Sequence, residues 1–125
     1  MSAESVLVID DDDVARTVIA SVLVRAGFRT HSIASPIGAT RAIREHHVTA
    51  VVCVLHMPAM RGDALVKVFK QSQSLRDVLL LLVTSTPLDE IAALHVQAGA
   101  DAVVHKSELE TVLVDRLRAL FGARR

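Results

Sequence analysis

Two signals alternate along this chain: short unbroken aliphatic runs, and stretches where apolar residues return every three or four positions. Val6 to Ile9 is a run of the first kind, cut off by Asp10, Asp11, Asp12 and Asp13. A strand buried on both faces has this look, because neither face can carry a polar side chain. Next come Val14, Val18, Ile19, Val22 and Leu23 at helical spacing, with acids ahead of the first turn and Gly27 just past the end. Arg29 to Ile33 reads as a short second strand. Ser35 and Pro36 then occupy the cap and first positions expected of a second helix, ending near His46.

The densest strand signal is Val48 to Leu55, followed by loop residues His56, Met57 and Pro58 and by Gly62. A helix from about Asp63 to Lys70 leads to another apolar run, Val78 to Val83, which stops at Thr84-Ser85-Thr86-Pro87. Thr86 suits a helix cap, Pro87 the first turn, and Asp89 and Glu90 the positive helix start. That fourth helix ends near Gly99, and Ala102 to His105 forms a last short strand. Ser107 and Glu110 make an S-x-x-E capping box for a final helix reaching Phe121.

Strand and helix therefore alternate five times, which predicts an α/β fold: a doubly wound parallel sheet with right-handed crossovers and helices on both faces. No linker or internal repeat interrupts the pattern, so residues 1–125 read as a single domain. In such sheets the working crevice lies beyond the carboxyl ends of the strands. The chain puts its unusual residues there: Asp10 to Asp13, Val54 to Met57, Thr84 and Lys106.

Composition narrows the function classes. With 125 residues the chain has no room for a two-domain enzyme, and 51% apolar content supplies a full core. Three Phe, no Tyr and no Trp argue against a base-stacking platform. Fourteen basic residues balance fourteen acidic ones, leaving no net field to attract nucleic acid or an acidic membrane. A protein partner is the expectation. Cys53 is the sole cysteine and lies within an apolar run, as an inert core thiol in a reducing compartment would. The start of the chain lacks a basic segment before an apolar one, and no stretch is long enough to span a bilayer, so a cytoplasmic location is expected.

Adjacent carboxylates at one strand end, with a hydroxyl and a lysine arriving from others, suit a divalent cation and a phosphoryl group. Val6-Leu7-Val8-Ile9-Asp10-Asp11, Met57-Pro58 with Gly62, Val83-Thr84, and Ala98-Gly99-Ala100 with Lys106 resemble the receiver domain of two-component response regulators. The resemblance covers essentially the whole chain. It implies the flavodoxin-like, CheY-like fold with strand order 2-1-3-4-5. It also implies that Asp10 and Asp11 match the acidic pair that helps hold Mg2+, Thr84 the hydroxyl contacting the phosphoryl group, and Lys106 the lysine pairing with it.

Against that pattern, the position of the phosphoacceptor aspartate, three residues before Met57-Pro58, is Val54. No register shift supplies an acid, since no Asp or Glu occurs between Glu45 and Asp63. Valine offers neither a nucleophilic oxygen nor a metal ligand. The family's aromatic switch position is Val103, the proline that usually follows the lysine, with its cis peptide, is Ser107, and the acid usual before the loop glycine is Arg61. The expected function is a non-enzymatic, phosphorylation-independent pseudo-receiver acting by protein interaction, with no cofactor beyond weak Mg2+. The alternatives are a receiver phosphorylated by a histidine kinase at a substitute such as Asp11, Asp12 or His56, and a regulatory domain cut from a longer signalling chain.

Plainer roles stand beside these. Asp10 to Asp13 can serve as caps and helix-start charges as well as cation ligands; Lys106 can be their counter-charge, and Thr84 a strand-end hydroxyl bonded to backbone. His46 and His47 read as solvated, whereas His56 and His105 flank the crevice, a position from which they would sense pH. On the final helix, Leu109, Val112, Leu113, Leu117 and Leu120 form a core stripe that Val114 and Phe121 widen to roughly 200°. That excess marks Val114 and Phe121 as a contact edge. With the family's habit of docking through helix four, strand five and helix five, it points to a partner or a second copy there.

Overall fold

A computed structural model describes residues 3–124 of the chain. Five strands, β1 (Ser5–Ile9), β2 (Arg29–Ile33), β3 (Ala50–Val54), β4 (Leu79–Thr84) and β5 (Ala102–His105), form one parallel sheet in the order β2-β1-β3-β4-β5. The crossovers carry α1 (Asp13–Arg25), α2 (Ala39–His46), α3 (Gly62–Gln71) and α4 (Ile91–Ala98), and α5 (Val114–Ala123) closes the chain. This is the flavodoxin-like arrangement expected from the alternating pattern.

The core sits on the three central strands. Every residue of β1, β3 and β4 is buried, which is why their sequences are aliphatic without alternation. Leu80, Leu81 and Leu82 of β4 are fully buried, as are Leu7 and Ile9 of β1. From the helices come Ile19 and Leu23, Leu65 and Phe69, and Leu113 and Leu117. β2 lies at the edge, is nowhere fully buried, and reads Arg-Thr-His-Ser-Ile accordingly.

Element limits differ from the sequence reading in ways that local hydrogen bonds explain. Ser35 and Pro36 do not start α2: the Ser35 hydroxyl accepts from the Ile37 N–H at 3.2 Å in a separate turn. The helix begins instead after Gly38, whose φ of 93° needs a residue without a β-carbon. Val48 donates to the Ile43 carbonyl at 3.0 Å and so closes α2 rather than opening β3. Thr86 does not cap α4, because its N–H and hydroxyl turn back to Thr84, and a 3-10 turn at Leu88–Glu90 precedes the helix. The Ser107–Glu110 box does not form either. The Ser107 N–H is taken by His105 Nδ1 at 3.1 Å, and a single π-helical turn, Leu109–Leu113, leads into α5.

One correction bears on function. Phe121 is only 7% exposed and packs against Phe28, ring centroids 6.1 Å apart. It belongs to the core and is not a contact edge; Val114, two turns earlier, is half-buried against the same core. The arc of apolar residues is wide because Phe121 packs on Phe28 in addition to the core that Leu113 and Leu117 fill.

Candidate functional site

The site lies where β1, β3, β4 and β5 end. Ile9 pairs with Cys53, Val54 with Val83 and Thr84 with His105, so parallel registry brings the chain's scattered strand-end residues to one rim. The loop after β3 is pinned at its base by the Gly62 N–H, which donates to the Leu55 carbonyl at 2.8 Å. Gly62 has no room for anything larger: a β-carbon there would fall 2.5 Å from the Val54 carbonyl oxygen and 2.8 Å from Leu82 Cδ2.

The four consecutive aspartates divide their work. Asp10 is 2% exposed, and its Oδ1 accepts from the Asp12 N–H at 3.0 Å, whereas its buried Oδ2 has no hydrogen-bond partner. Burial pushes the Asp10 carboxyl above the usual carboxylate range, and Asp11 and Asp12 add to this; the Asp12 N–H and Lys106 oppose it. Asp11 is exposed. Asp12 is the cap of α1, its Oδ1 accepting from the Ala15 N–H at 2.9 Å. Asp13 pairs with Arg16, whose Nη1 also reaches the Asp10 carbonyl at 2.8 Å. Capping thus accounts for Asp12 and Asp13 but leaves Asp10 unexplained.

Val54 lies beside Asp10 on the next strand and is 3% exposed. Its neighbour Cys53 faces the core, its thiol 3.3 Å from the Val54 carbonyl oxygen. Burial, with a contribution from the Asp10 charge, pushes that thiol up to about 12, where it is inert at physiological pH. Thr84 is 1% exposed, and its Oγ1 lies 2.7 Å from Thr86 Oγ1 and accepts from the Thr86 N–H at 3.0 Å. The hydroxyl is therefore engaged in a local turn. Lys106 is exposed and, among the described residues, makes no contact ion pair; it acts on Asp10 only through the longer-range field. Val103 is half-buried against the core.

As oxygen donors the site offers the free Oδ2 of buried Asp10 and the exposed carboxylate of Asp11, with a hydrocarbon at Val54. Among the described residues no three His, Cys, Asp or Glu side chains gather closely enough to hold a metal ion. Hard divalent cations take six or more oxygen ligands.

Around this rim the sequence showed Arg61 and His56 but not the contacts they make. Arg61 forms an ion pair with Asp63 at 3.1 Å and lies 3.5 Å from His56 Nδ1. Burial alone would raise the Asp63 carboxyl, but the Arg61 guanidinium and the Ala64 N–H outweigh it and hold the carboxyl below its ordinary range. Arg16 was legible only as the i+3 partner of Asp13. Away from the rim, His46 is exposed, as its solvated reading has it, and its ring stacks on His31.

Comparison with known proteins agrees with this architecture. Residues 6–118 match the response regulator receiver domain family. The chain is 29% identical over 116 residues to the transcriptional regulatory protein AfsQ1 of Streptomyces coelicolor, covering 93% of this chain and 50% of that one. It is 32% identical to the DNA-binding response regulator MtrA of Mycolicibacterium smegmatis, with the same coverage. The chain thus spans about half the length of these curated relatives. A crystal structure of the receiver domain of a signal transduction histidine kinase from Syntrophus aciditrophicus superposes with a TM-score of 0.83 at 23% identity, over 98% of this chain and 94% of that one. With the sheet order, the rim of strand ends and this match in hand, the chain belongs to the response regulator receiver domains of two-component signalling.

Proposed function

We propose that this receiver works without aspartyl phosphate, as a protein-interaction module whose signalling state is set by packing rather than by a phosphorylation cycle. The observation that carries this reading is Val54, buried at the end of β3, where the strand brings no oxygen to the rim. Phosphoryl transfer needs a nucleophilic oxygen, and the side chain there is a hydrocarbon. The donors that remain, Asp10 and Asp11, fall short of a cation-plus-phosphoryl site, so Mg2+ binding is weak and leaves the state unchanged. Thr84 and Val103 support the same reading, the hydroxyl because it is already bonded to Thr86 and the valine because it has no ring to swing.

Recognition falls to the α4 side. Val96 of α4 is 84% exposed and Leu88, in the turn before it, 59% exposed. Apolar side chains held in water at this level suit a protein partner of apolar surface. Since the chain spans about half of relatives such as AfsQ1, an attached output domain on a longer chain fits this surface as well as a separate protein does.

The test is intact mass spectrometry with an amide NMR spectrum, before and after Mg2+ and a small phosphodonor. No phosphoryl adduct and no shifts at Asp10, Asp11, Thr84 and Lys106 are expected. Val54→Asp run in parallel shows whether the remaining pocket can still act. An adduct on the unaltered protein, mapped to Asp11, Asp12 or His56, would establish a substitute acceptor and overturn the proposal.

A further inference from the structure

The far side of the sheet holds a pair that the strand-end site does not use. His31, in the middle of edge strand β2, and His46, the last residue of α2, stack their imidazoles with centroids 3.8 Å apart and planes within 11° of parallel. Nothing in the sequence marks them, since they lie fifteen positions apart on different elements.

The rest of the α2 anchorage is thin. Of its eight residues only Ala39 and Ile43 are buried, and no side chain caps its N-terminus. It leaves through His47 at φ 51°, a left-handed conformation that a β-carbon disfavours. A helix held by so few buried contacts opens at low cost, and each remaining contact counts for more. The imidazole stack is the only aromatic contact that α2 makes among the described residues.

We propose that the His31–His46 stack is a pH-sensitive latch, holding the C-terminal turn of α2 on the sheet while the rings are neutral and releasing it when both are protonated. Two neutral imidazoles at 3.8 Å attract through their faces, and two imidazolium ions at that spacing repel. The surrounding charges set the pH range of the response. On β2 the nearest is the Arg29 guanidinium; on α2 they are His46 itself and Glu45, which is committed to Arg41 at 2.8 Å; from β1 the register partner of His31 is Leu7. Burial lowers the readiness of His31 to take a proton, and His46 and Arg29 lower it further. Because His31 binds its proton less readily folded than unfolded, the contribution is intact above the ordinary histidine value of 6.5 and is lost as pH falls below it. The module thereby has a proton input separate from its strand-end site.

The test is amide hydrogen exchange by NMR at about pH 7.5 and about pH 5, bracketing histidine titration, read as protection factors for Ile43 to His47 with the β3 amides as internal reference. In the unaltered protein the α2 protection is expected to fall about tenfold or more relative to β3 at the lower pH. His46→Phe keeps a ring that stacks and takes no proton, and its α2 protection is expected to stay level. Should His46→Phe fold poorly, as loss of β3 protection would reveal, His31→Phe gives the same readout. Constant α2 protection in the unaltered protein, or an equal fall in the phenylalanine variants, would overturn the latch.

Discussion

Asp10 and Val54 end neighbouring strands at equal depth, 2% and 3% exposed, and meet opposite fates there. The valine closes the β3 end with hydrocarbon against hydrocarbon, and its burial is favourable without further arrangement. The aspartate brings a carboxylate into the same dry rim with one oxygen bonded to the Asp12 N–H and the other bonded to nothing. A buried polar atom without a partner costs roughly 1–3 kcal/mol. One half of the rim therefore contributes to stability while the other half draws on it.

The sharpest way to break the β3 half is through its backbone. Gly62→Ala puts a β-carbon where the Val54 carbonyl oxygen and Leu82 Cδ2 already sit, and is expected to cost about 3 kcal/mol in urea unfolding. Val54→Asp makes the two halves alike. A second carboxylate beside Asp10 is expected to cost about 2 kcal/mol in EDTA, with part of that loss recovered on adding Mg2+, because a divalent cation satisfies both acids. Asp10→Asn tests the other half. It keeps an acceptor for the Asp12 N–H and removes the buried charge, so the protein is expected to gain about 1 kcal/mol at pH 7.

The smallest effect concerns the thiol beneath both. With its pKa pushed up to about 12, Cys53 is expected to stay unmodified by a thiol reagent at pH 8 until the protein unfolds. Measurable labelling of native protein would show that the β3 end opens.

What could be read from the sequence follows the same division. β1, β3 and β4 are legible because burial on both faces leaves only aliphatic residues, and β2 and β5 fall where short runs between turns put them. The helix starts were misread wherever a small polar side chain had a nearer use. Ser35 turns to Ile37, Thr86 to Thr84 and Ser107 to His105, each within two residues and each cheaper than capping the following helix. Phe121 looked like surplus on α5 because periodicity counts one face, whereas Phe28 supplies a second. At the site, parallel registry brings the strand ends that carry Asp10, Val54, Thr84 and Lys106 to one rim. The Arg61–Asp63 pair is local, two residues apart at the start of α3, whereas the His31–His46 stack depends on edge packing, which leaves no spacing to detect.

Among the described residues, the side-chain hydrogen bonds that join distant parts of the chain all lie at the end of the sheet away from the site. Thr49 Oγ1 donates to Glu4 Oε2 at 2.8 Å just before β1 and β3. Asp101 Oδ2 takes both Lys70 Nζ, at 2.9 Å, and the Leu80 N–H, at 2.8 Å, where β4 begins. Arg118 Nη2 reaches the Ala26 carbonyl at 3.1 Å, below the end of α1. The molecule is thus riveted by side chains at its base, whereas the rim is held by backbone bonds such as the Leu55 N–H to the Val83 carbonyl at 2.9 Å and by short local turns. For an engineer this makes the loop after β4 the place to graft a foreign segment, because no side-chain rivet passes through it, whereas the loop after β3 is tied down at Gly62.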